Sequence, residues 1–172
     1  LAVDLDVYMP VGYTVTPEQI SEAYRSWYAE QGRLGLQNEP LYPGMVELIH
    51  ELKSNDWLIG IATNKSRIGL TNGLAKHNLS NIFDITLSTD ENIAKPNPAM
   101  ALRAMKELGV EEKYSVIIGD TINDIGLGVN SGITSIGVTW GYNNRKLLMS
   151  AGANHLVDNA QDLSKLMNKL FF

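Results

Sequence analysis

The sequence predicts an α/β fold: a Rossmann-like three-layer sandwich in which helices cover both faces of a mostly parallel sheet. Segments with the apolar pattern of strands alternate with amphipathic helical segments along most of the 172 residues. Strand segments such as 58–62 and 116–118 are almost continuously apolar, which is typical of strands buried on both faces. Ligands of such sheets bind outside the carboxyl ends of the strands, so we expect the functional residues there.

The predicted elements follow one another in a regular order. A short apolar strand over residues 1–5 comes first, and a helix begins after Thr16. From Gly44 onward the pattern predicts helices over 45–54, 66–77, 98–108, 123–130, 145–151 and 160–170. It predicts strands over 57–62, 83–88, 115–118, 134–138 and 155–157.

The helix after Thr16 has a clear start signal. Thr16 suits the N-cap, Pro17 the first helical position, and Gln19 the third position of a capping box. An apolar stripe then runs along this helix through Ile20, Ala23, Tyr24, Trp27 and Tyr28. We expect the stripe to pack against another surface rather than to bind a ligand.

Composition excludes several classes of function. The formal net charge is −5, which provides no electrostatic footprint for nucleic acid or an anionic membrane surface. No cysteine is present, so disulfides and thiolate metal sites are excluded, and a reducing cytoplasm is compatible with the chain. The first residues carry a charge at Asp4 and are not expected to form a signal peptide. We therefore expect a cytoplasmic protein that binds neither nucleic acid nor membrane.

Polar and charged residues follow four of the predicted strands or their connections. They are Asp4 and Asp6, Thr63 and Asn64, Lys95, and Asp120 with Asp124 one helical turn later. Several carboxylates close together cannot all stay ionised without a cation. Oxygen ligands without His or Cys favour Mg²⁺, which commonly also binds phosphate oxygens. The set therefore predicts a magnesium-dependent site for a phosphate ester.

Phosphoryl-transfer chemistry fits these residue types. A carboxylate can attack phosphorus to form an aspartyl-phosphate, and a second carboxyl two residues later can protonate the leaving oxygen. A lysine and a metal can stabilise the charge of the transferring group. A threonine hydroxyl and backbone N–H groups can donate hydrogen bonds to phosphate oxygens.

The same residues resemble the haloacid dehalogenase superfamily of phosphotransferases. Its four motifs are matched in order by Asp-x-Asp at 4–6, Thr63-Asn64, Lys-Pro-x-Pro at 95–98 and Gly-Asp-Thr-x-x-Asp at 119–124. The chain most resembles the phosphoglycolate phosphatase branch, through segments 42–44, 63–66, 137–143 and 151–155.

The resemblance implies a role for each motif residue. Asp4 would be the nucleophile and a metal ligand, and Asp6 the general acid and base, binding the metal through its backbone carbonyl. Thr63, Asn64 and Lys95 would hold the transferring phosphate, with Lys95 also steadying the nucleophile. Completing the metal site would fall to two more aspartates: Asp120 as a direct Mg²⁺ ligand and Asp124 as a supporting one. The substrate would be a small phosphate monoester such as phosphoglycolate, and the protein a monomer or homodimer.

The N-terminal part departs from the family pattern. Val7-Tyr8-Met9 stand where the family usually has Gly-Thr-Leu after the second aspartate. We expect residues 1–9 and 44–172 to form the catalytic core, and residues 10–43 to form a short, truncated helical cap. A smaller cap would admit bulkier esters.

Three other functions share features with a phosphatase of this kind. A catalytically degenerate binding or regulatory domain would be favoured by Tyr8, but it has no need of a repulsive acidic cluster. A phosphosugar mutase of the same superfamily would need a cap that holds a bisphosphate intermediate. A signalling receiver domain also uses Asp, Lys and Mg²⁺, but its phosphorylated Asp near the middle of the chain is missing here.

Overall fold

The computed structural model describes residues 40–171 without interruption, together with residues 16, 19, 22, 23, 26, 27 and 30. The chain divides into two compact units, Leu1–Pro40 and Leu41–Phe172. The predicted first strand over 1–5 lies outside the described residues. The assignment of residues 10–43 to a cap stays a prediction.

The first unit contains the predicted helix start. The Thr16 N–H donates to Gln19 Oε1 at 2.9 Å, and the Gln19 N–H donates back to Thr16 Oγ1 at 3.3 Å. The described residues from Gln19 to Glu30 are helical. The capping box predicted from the sequence is thus formed, and it satisfies two backbone N–H groups that a helix start leaves without partners.

The second unit alternates strands and helices, which are numbered here from its beginning. The helices are α1 (Met45–Ser54), α2 (Arg67–Lys76), α3 (Ala99–Leu108), α4 (Ile122–Ser131), α5 (Arg145–Ser150) and α6 (Ala160–Phe171), with a short 3-10 helix at Glu112–Tyr114. The strands are β1 (Gly60–Ala62), β2 (Ile85–Leu87), β3 (Val116–Gly119), β4 (Thr134–Val138) and β5 (His155–Val157).

All pairings between these strands are parallel. β1 pairs with β2, and β3, β4 and β5 pair in that order. In the registers, Ala62 lies opposite Leu87, and Gly119 lies opposite Gly137. The residues that follow these strands therefore leave each sheet at its carboxyl edge, as the sequence predicts.

The core forms two apolar clusters on opposite faces of β3. Val116 and Ile118 pack against a cluster contributed by α1, β4, β5 and α6, whose buried members include Leu48, Ile136 and Leu163. Ile117 packs against a second cluster, formed mainly by β2, α3 and α4. Because successive side chains of a strand point to opposite faces, helices cover both sides, which confirms the three-layer α/β fold.

Two strands are shorter than predicted for a specific reason. The Ile59 N–H donates to the Asp84 carboxylate at 2.7 Å, and the Asp84 N–H donates to the Ile59 carbonyl at 2.8 Å. The side chain of Asp84 thereby takes a donor that a strand ladder would otherwise use. β1 begins at Gly60 instead of Trp57, and β2 begins at Ile85.

Within the described part of the chain, no helix has the length and apolar character needed to cross a membrane.

Candidate active site

Lys95 connects the carboxyl ends of β1 and β3. Its ammonium donates to the Ala62 carbonyl at 2.7 Å and to Asp124 Oδ1 at 2.5 Å. The side chains of Lys95 and Asp124 are only 12% and 9% exposed, so this ion pair is largely withdrawn from water. A charge pair in such an environment is screened little by salt and has one fixed geometry. The predicted lysine and one predicted acid are therefore brought together.

Asn64 holds the main chain of Lys95 from both sides. The Lys95 N–H donates to Asn64 Oδ1 at 2.8 Å, and the Asn64 side-chain amide donates to the Lys95 carbonyl at 3.2 Å. The peptide bond between Lys95 and Pro96 is cis. The side chain of Asn64, for which the sequence predicts phosphate binding, is thus engaged with the lysine loop.

Asp124 belongs to a capping box at the start of α4. Its Oδ2 accepts hydrogen bonds from the Thr121 N–H at 2.9 Å and from the Thr121 hydroxyl at 2.7 Å. Its Oδ1 accepts from Lys95. Both carboxylate oxygens therefore already have protein donors, which fits the predicted supporting role better than direct metal binding.

The lysine loop also packs closely on the middle of α4. A Cβ atom on Gly126 would lie 2.7 Å from the Cβ of Pro96, so only glycine allows this approach. The Asn130 side-chain amide donates to the Pro96 carbonyl at 2.9 Å. Gly126, whose spacing with Gly128 superficially resembles a dinucleotide-binding loop, therefore serves helix packing.

Asp120 has a different environment. Its Oδ2 accepts a hydrogen bond from the Tyr142 N–H at 2.9 Å, and its carbonyl accepts one from the Asn143 N–H at 3.0 Å. The described residues supply no hydrogen bond to Oδ1 of Asp120. One carboxylate oxygen is therefore available to a ligand, as the prediction of a direct metal ligand requires.

Tyr42 lies close enough to sense this charge. Burial raises the pKa of the Tyr42 phenol first, and the charges of Asp120 and Tyr142 raise it further. The phenol accordingly stays neutral at physiological pH beside the Asp120 carboxylate.

Thr63 follows β1, next to Asn64. Its hydroxyl oxygen accepts a hydrogen bond from the Lys65 N–H at 3.1 Å, and its own N–H donates to the Leu87 carbonyl. Because the hydroxyl oxygen acts as acceptor in this turn, its proton can still be donated to another group.

Arg67, close to this turn in the sequence, forms an ion-pair network that the sequence-based predictions do not include. The Arg67 guanidinium donates to both carboxylate oxygens of Glu91 at 2.7 Å, and also to the Thr86 hydroxyl and carbonyl at 2.8 Å. The Arg67 N–H donates to Asp90 at 2.7 Å. The network ties the start of α2 to β2 and thus fixes the loop that contains Thr63. A basic residue one position after the N-cap Ser66 was the only sequence signal for it.

Asp4 and Asp6 lie outside the described residues, as do Val7, Tyr8 and Met9. Their predicted roles stay predictions. Among the residues that are described, no three His, Cys, Asp or Glu side chains form a group able to hold a metal. A complete metal site therefore needs ligands beyond Asp120 and Asp124.

The fold is an α/β fold with candidate site residues at the carboxyl ends of parallel strands, and comparison identifies the family. Residues 7–138 match the model of the haloacid dehalogenase-like hydrolases. The chain belongs to this family.

Curated relatives carry phosphatase names. The chain is 30% identical to "Probable phosphatase IndB" of Dickeya dadantii over 152 residues, covering 87% of this chain and 66% of that protein. It is 28% identical to "Pyrophosphatase PpaX" of Bacillus mycoides over 130 residues, covering 75% of this chain and 60% of that protein. The chain thus spans less than two thirds of the length of these relatives.

Solved structures share the fold. A hydrolase from Pseudomonas syringae is 26% identical with a TM-score of 0.79, covering 90% of this chain and 72% of that one. A protein from Lactobacillus delbrueckii subsp. bulgaricus, provisionally assigned as a phosphoglycolate phosphatase, is 27% identical with a TM-score of 0.77. That match covers 92% of this chain and 66% of the other. Both the family and the α/β fold expected from the sequence are confirmed.

Proposed function

We propose that this protein is a Mg²⁺-dependent phosphatase that hydrolyses a small phosphate monoester through an aspartyl-phosphate. The observation that carries the proposal is the bridge from Lys95 to Ala62 and Asp124, at 2.7 and 2.5 Å. It brings three of the four family motifs to one edge, since Asn64 and Asp120 flank the same bridge.

Asp120 fits the role of a magnesium ligand. Asp120 offers an oxygen without a hydrogen bond from the described residues, and its other oxygen is held by the Tyr142 N–H. Oxygen donors are the ligands that Mg²⁺ prefers. Asp120 would bind the ion together with Asp4 and the backbone carbonyl of Asp6, while Asp124 supports the site through Thr121 and Lys95. When bound, the ion would offset negative charge on the phosphoryl group.

The chain's own residues would divide the reaction between them. Asp4 attacks phosphorus and Asp6 protonates the leaving oxygen; Asp6 then takes a proton from the water that hydrolyses the aspartyl-phosphate. The Thr63 hydroxyl donates to a phosphate oxygen, and the Lys95 ammonium stabilises the negative charge near the nucleophile. Asn64 keeps the Lys95 loop in place.

The proposed substrate is phosphoglycolate or a similar small metabolite. The protein is proposed to act in the cytoplasm. Support for this substrate comes from the provisional assignment of one structural relative and from the sequence segments shared with that branch. A pyrophosphatase name among the curated relatives makes inorganic pyrophosphate a further substrate worth assaying.

The test measures phosphate release from p-nitrophenyl phosphate, phosphoglycolate and pyrophosphate, with and without Mg²⁺. We expect Mg²⁺-dependent turnover in the wild type and a loss of at least about 10³-fold in Asp4→Asn, because the covalent route needs this nucleophile. The relative rates on the three compounds would establish the substrate class.

Asp56→Asn is the matched control. Asp56 lies in the turn between α1 and β1, on the amino side of the sheet, at φ 59°, a conformation that Asn tolerates as well as Asp does. This variant should retain wild-type turnover. A folded wild-type protein that releases no phosphate would refute the phosphatase and favour a degenerate binding domain.

A further inference from the structure

One loop, residues 141–143, follows β4 and makes two contacts with Asp120 and a third with Ile122. The Tyr142 N–H donates to the Asp120 carboxylate at 2.9 Å, and the Asn143 N–H donates to the Asp120 carbonyl at 3.0 Å. The Asn143 side chain then reaches past Asp120, where its Oδ1 accepts the Ile122 N–H at 2.8 Å. Asp120 and Ile122 are thus both fixed to the same loop.

The close approach of this loop is an independent observation. A Cβ atom on Gly141 would overlap the Asp120 side chain, with its carboxylate, Cβ and Cγ as the three nearest groups. The neighbouring backbone therefore touches Asp120 directly, and a residue other than glycine would have to displace it. Helix packing does not require this contact, because Gly141 lies in a loop and the group it meets is a carboxylate at the sheet edge.

We propose that the 141–143 loop positions Asp120 for metal binding. Asn143 is the positioning residue, and Gly141, which has no Cβ, allows the loop to approach Asp120. The inference rests on the proposed function. The loop holds the carboxylate through Oδ2, and Oδ1 is the oxygen that would bind the ion. Asn143 itself touches neither metal nor substrate.

Hydrogen-bond partners that hold a metal ligand have a measurable effect on affinity. Their loss typically weakens metal binding or activity by about 10- to 100-fold. Asn143 provides one acceptor, on the Ile122 N–H at the first position of α4. Without it, the Asp120–Ile122 segment loses the side-chain contact that fixes it, although the two backbone contacts to Asp120 stay possible.

The experiment measures Mn²⁺ binding to the full chain by electron paramagnetic resonance, with Mn²⁺ as a spectroscopic probe for a carboxylate site that takes Mg²⁺. We expect Asn143→Ala to weaken Mn²⁺ binding by about tenfold or more. Asn143→Asp keeps an acceptor oxygen of similar geometry and should restore binding to within about twofold of the wild type. Gly141→Ala should weaken binding at least as much as Asn143→Ala.

Matched controls separate positioning from general destabilisation. Asn154 makes the same kind of contact at the amino end of the sheet, where its Oδ1 accepts the Ser135 N–H at 2.8 Å. Asn154→Ala should lower stability without changing Mn²⁺ affinity. Gly73→Ala is the control for Gly141→Ala, since a Cβ on Gly73 would meet nothing within 4 Å.

The outcomes distinguish this inference from the proposed function. Wild-type protein that binds no Mn²⁺ would overturn both. Mn²⁺ binding that is lost in Asp120→Asn but unchanged in Asn143→Ala and Gly141→Ala would overturn the positioning role alone. Equal weakening in Asn143→Ala and Asn154→Ala would also overturn it, because the effect would then follow stability rather than position.

Discussion

Two aspartates of one motif, Asp120 and Asp124, stand four residues apart and have opposite surroundings. Asp124 is nearly buried, and its two oxygens are taken by Lys95 and by Thr121. Asp120 is more accessible, and only one of its oxygens receives a hydrogen bond from the described residues, namely from the Tyr142 N–H. Both oxygens of Asp124 thus accept hydrogen bonds within the protein, whereas Oδ1 of Asp120 receives none from the described residues.

The difference supports a division of roles within one motif: Asp124 stabilises the fold, and Asp120 is the proposed metal ligand. A buried carboxylate that is fully hydrogen-bonded stabilises the fold and fixes the lysine, and its removal leaves an unpaired charge. A carboxylate held on one oxygen is oriented but unsaturated, which is how a metal ligand is prepared before the ion binds. Substitutions at the two positions should therefore affect different measurements.

The largest expected effect is on stability, from Lys95→Met. Removing the ammonium leaves the Asp124 carboxylate without its charge partner in a site where its side chain is 9% exposed. We expect the free energy of unfolding to fall by about 3–5 kcal/mol, as measured by urea denaturation. Lys106→Met, on the exposed face of α3, should change it by less than about 0.5 kcal/mol. A loss below about 1 kcal/mol for Lys95→Met would show that Asp124 does not depend on this pair.

Next in size is the contrast between Asp120→Asn and Asp124→Asn. Asp120→Asn should weaken Mn²⁺ binding by more than about 100-fold, which is more than the loss of a residue that only hydrogen-bonds a metal ligand usually causes. It should change the free energy of unfolding by less than about 1 kcal/mol. Asp124→Asn should lower stability by about 2 kcal/mol, because Lys95 loses its counter-charge, and should weaken Mn²⁺ binding by only about 10-fold. Electron paramagnetic resonance and urea denaturation on the same samples would measure both. Equal profiles for the two variants would remove the distinction drawn here.

The sequence singles out candidate motif residues but not the contacts that hold them. Asp120, Asp124 and Lys95 could be found because their residue types and order are tied to strand ends, which parallel topology brings to one edge. The segment from Gly137 to Asn143 also resembles the family, yet it gives no indication of a role. Its contribution comes from two backbone N–H groups, the Asn143 side chain and the missing Cβ of Gly141, and the partners of these groups cannot be inferred from the residue types alone.

Asn64 illustrates a second limit of prediction from sequence. The family resemblance predicts phosphate binding for Asn64, which stays a prediction, and gives no indication that its amide pairs with both backbone groups of Lys95. That contact joins residues far apart in the sequence, which no local pattern indicates. Element bounds failed for a related reason: the shortened β1 follows from the tertiary contact between Ile59 and Asp84.

A smaller effect is expected at Asp84, which resembles Asp124 but lies away from the site. Burial alone would raise the pKa of Asp84, but hydrogen bonds from Lys53 and the Ile59 N–H, with the charge of Lys53, hold it below the usual range. The folded state therefore favours the carboxylate. Its contribution is present above the unfolded-state pKa of about 3.9 and is lost as the pH falls through the lower folded value.

Asp84→Asn should accordingly destabilise the protein by about 1 kcal/mol at pH 7, a modest figure because the pair is partly exposed to solvent. The stability difference between wild type and variant should shrink as the pH is lowered from 6 to about 2. Urea denaturation at a series of pH values measures this difference. Lys53→Met should likewise reduce the dependence of stability on pH between about 6 and about 2. Phosphatase activity at pH 7 should not change in Asp84→Asn; a loss of turnover would mean that this aspartate reaches the site after all.

A last comparison distinguishes two kinds of glycine, and Gly73→Ala has the smallest expected effect of all. Gly126 lies against Pro96, so Gly126→Ala should destabilise the protein by about 1–3 kcal/mol through overpacking of the lysine loop on α4. Gly73 lies inside α2 with open space where a Cβ would be, so Gly73→Ala should raise the free energy of unfolding by about 0.5–1 kcal/mol through helix propensity and a less flexible unfolded chain. Thermal and urea unfolding of the two variants measure the pair. Destabilisation by Gly73→Ala would show that α2 needs this glycine for a reason other than its space, and would weaken the use of Gly73 as the reference for Gly141.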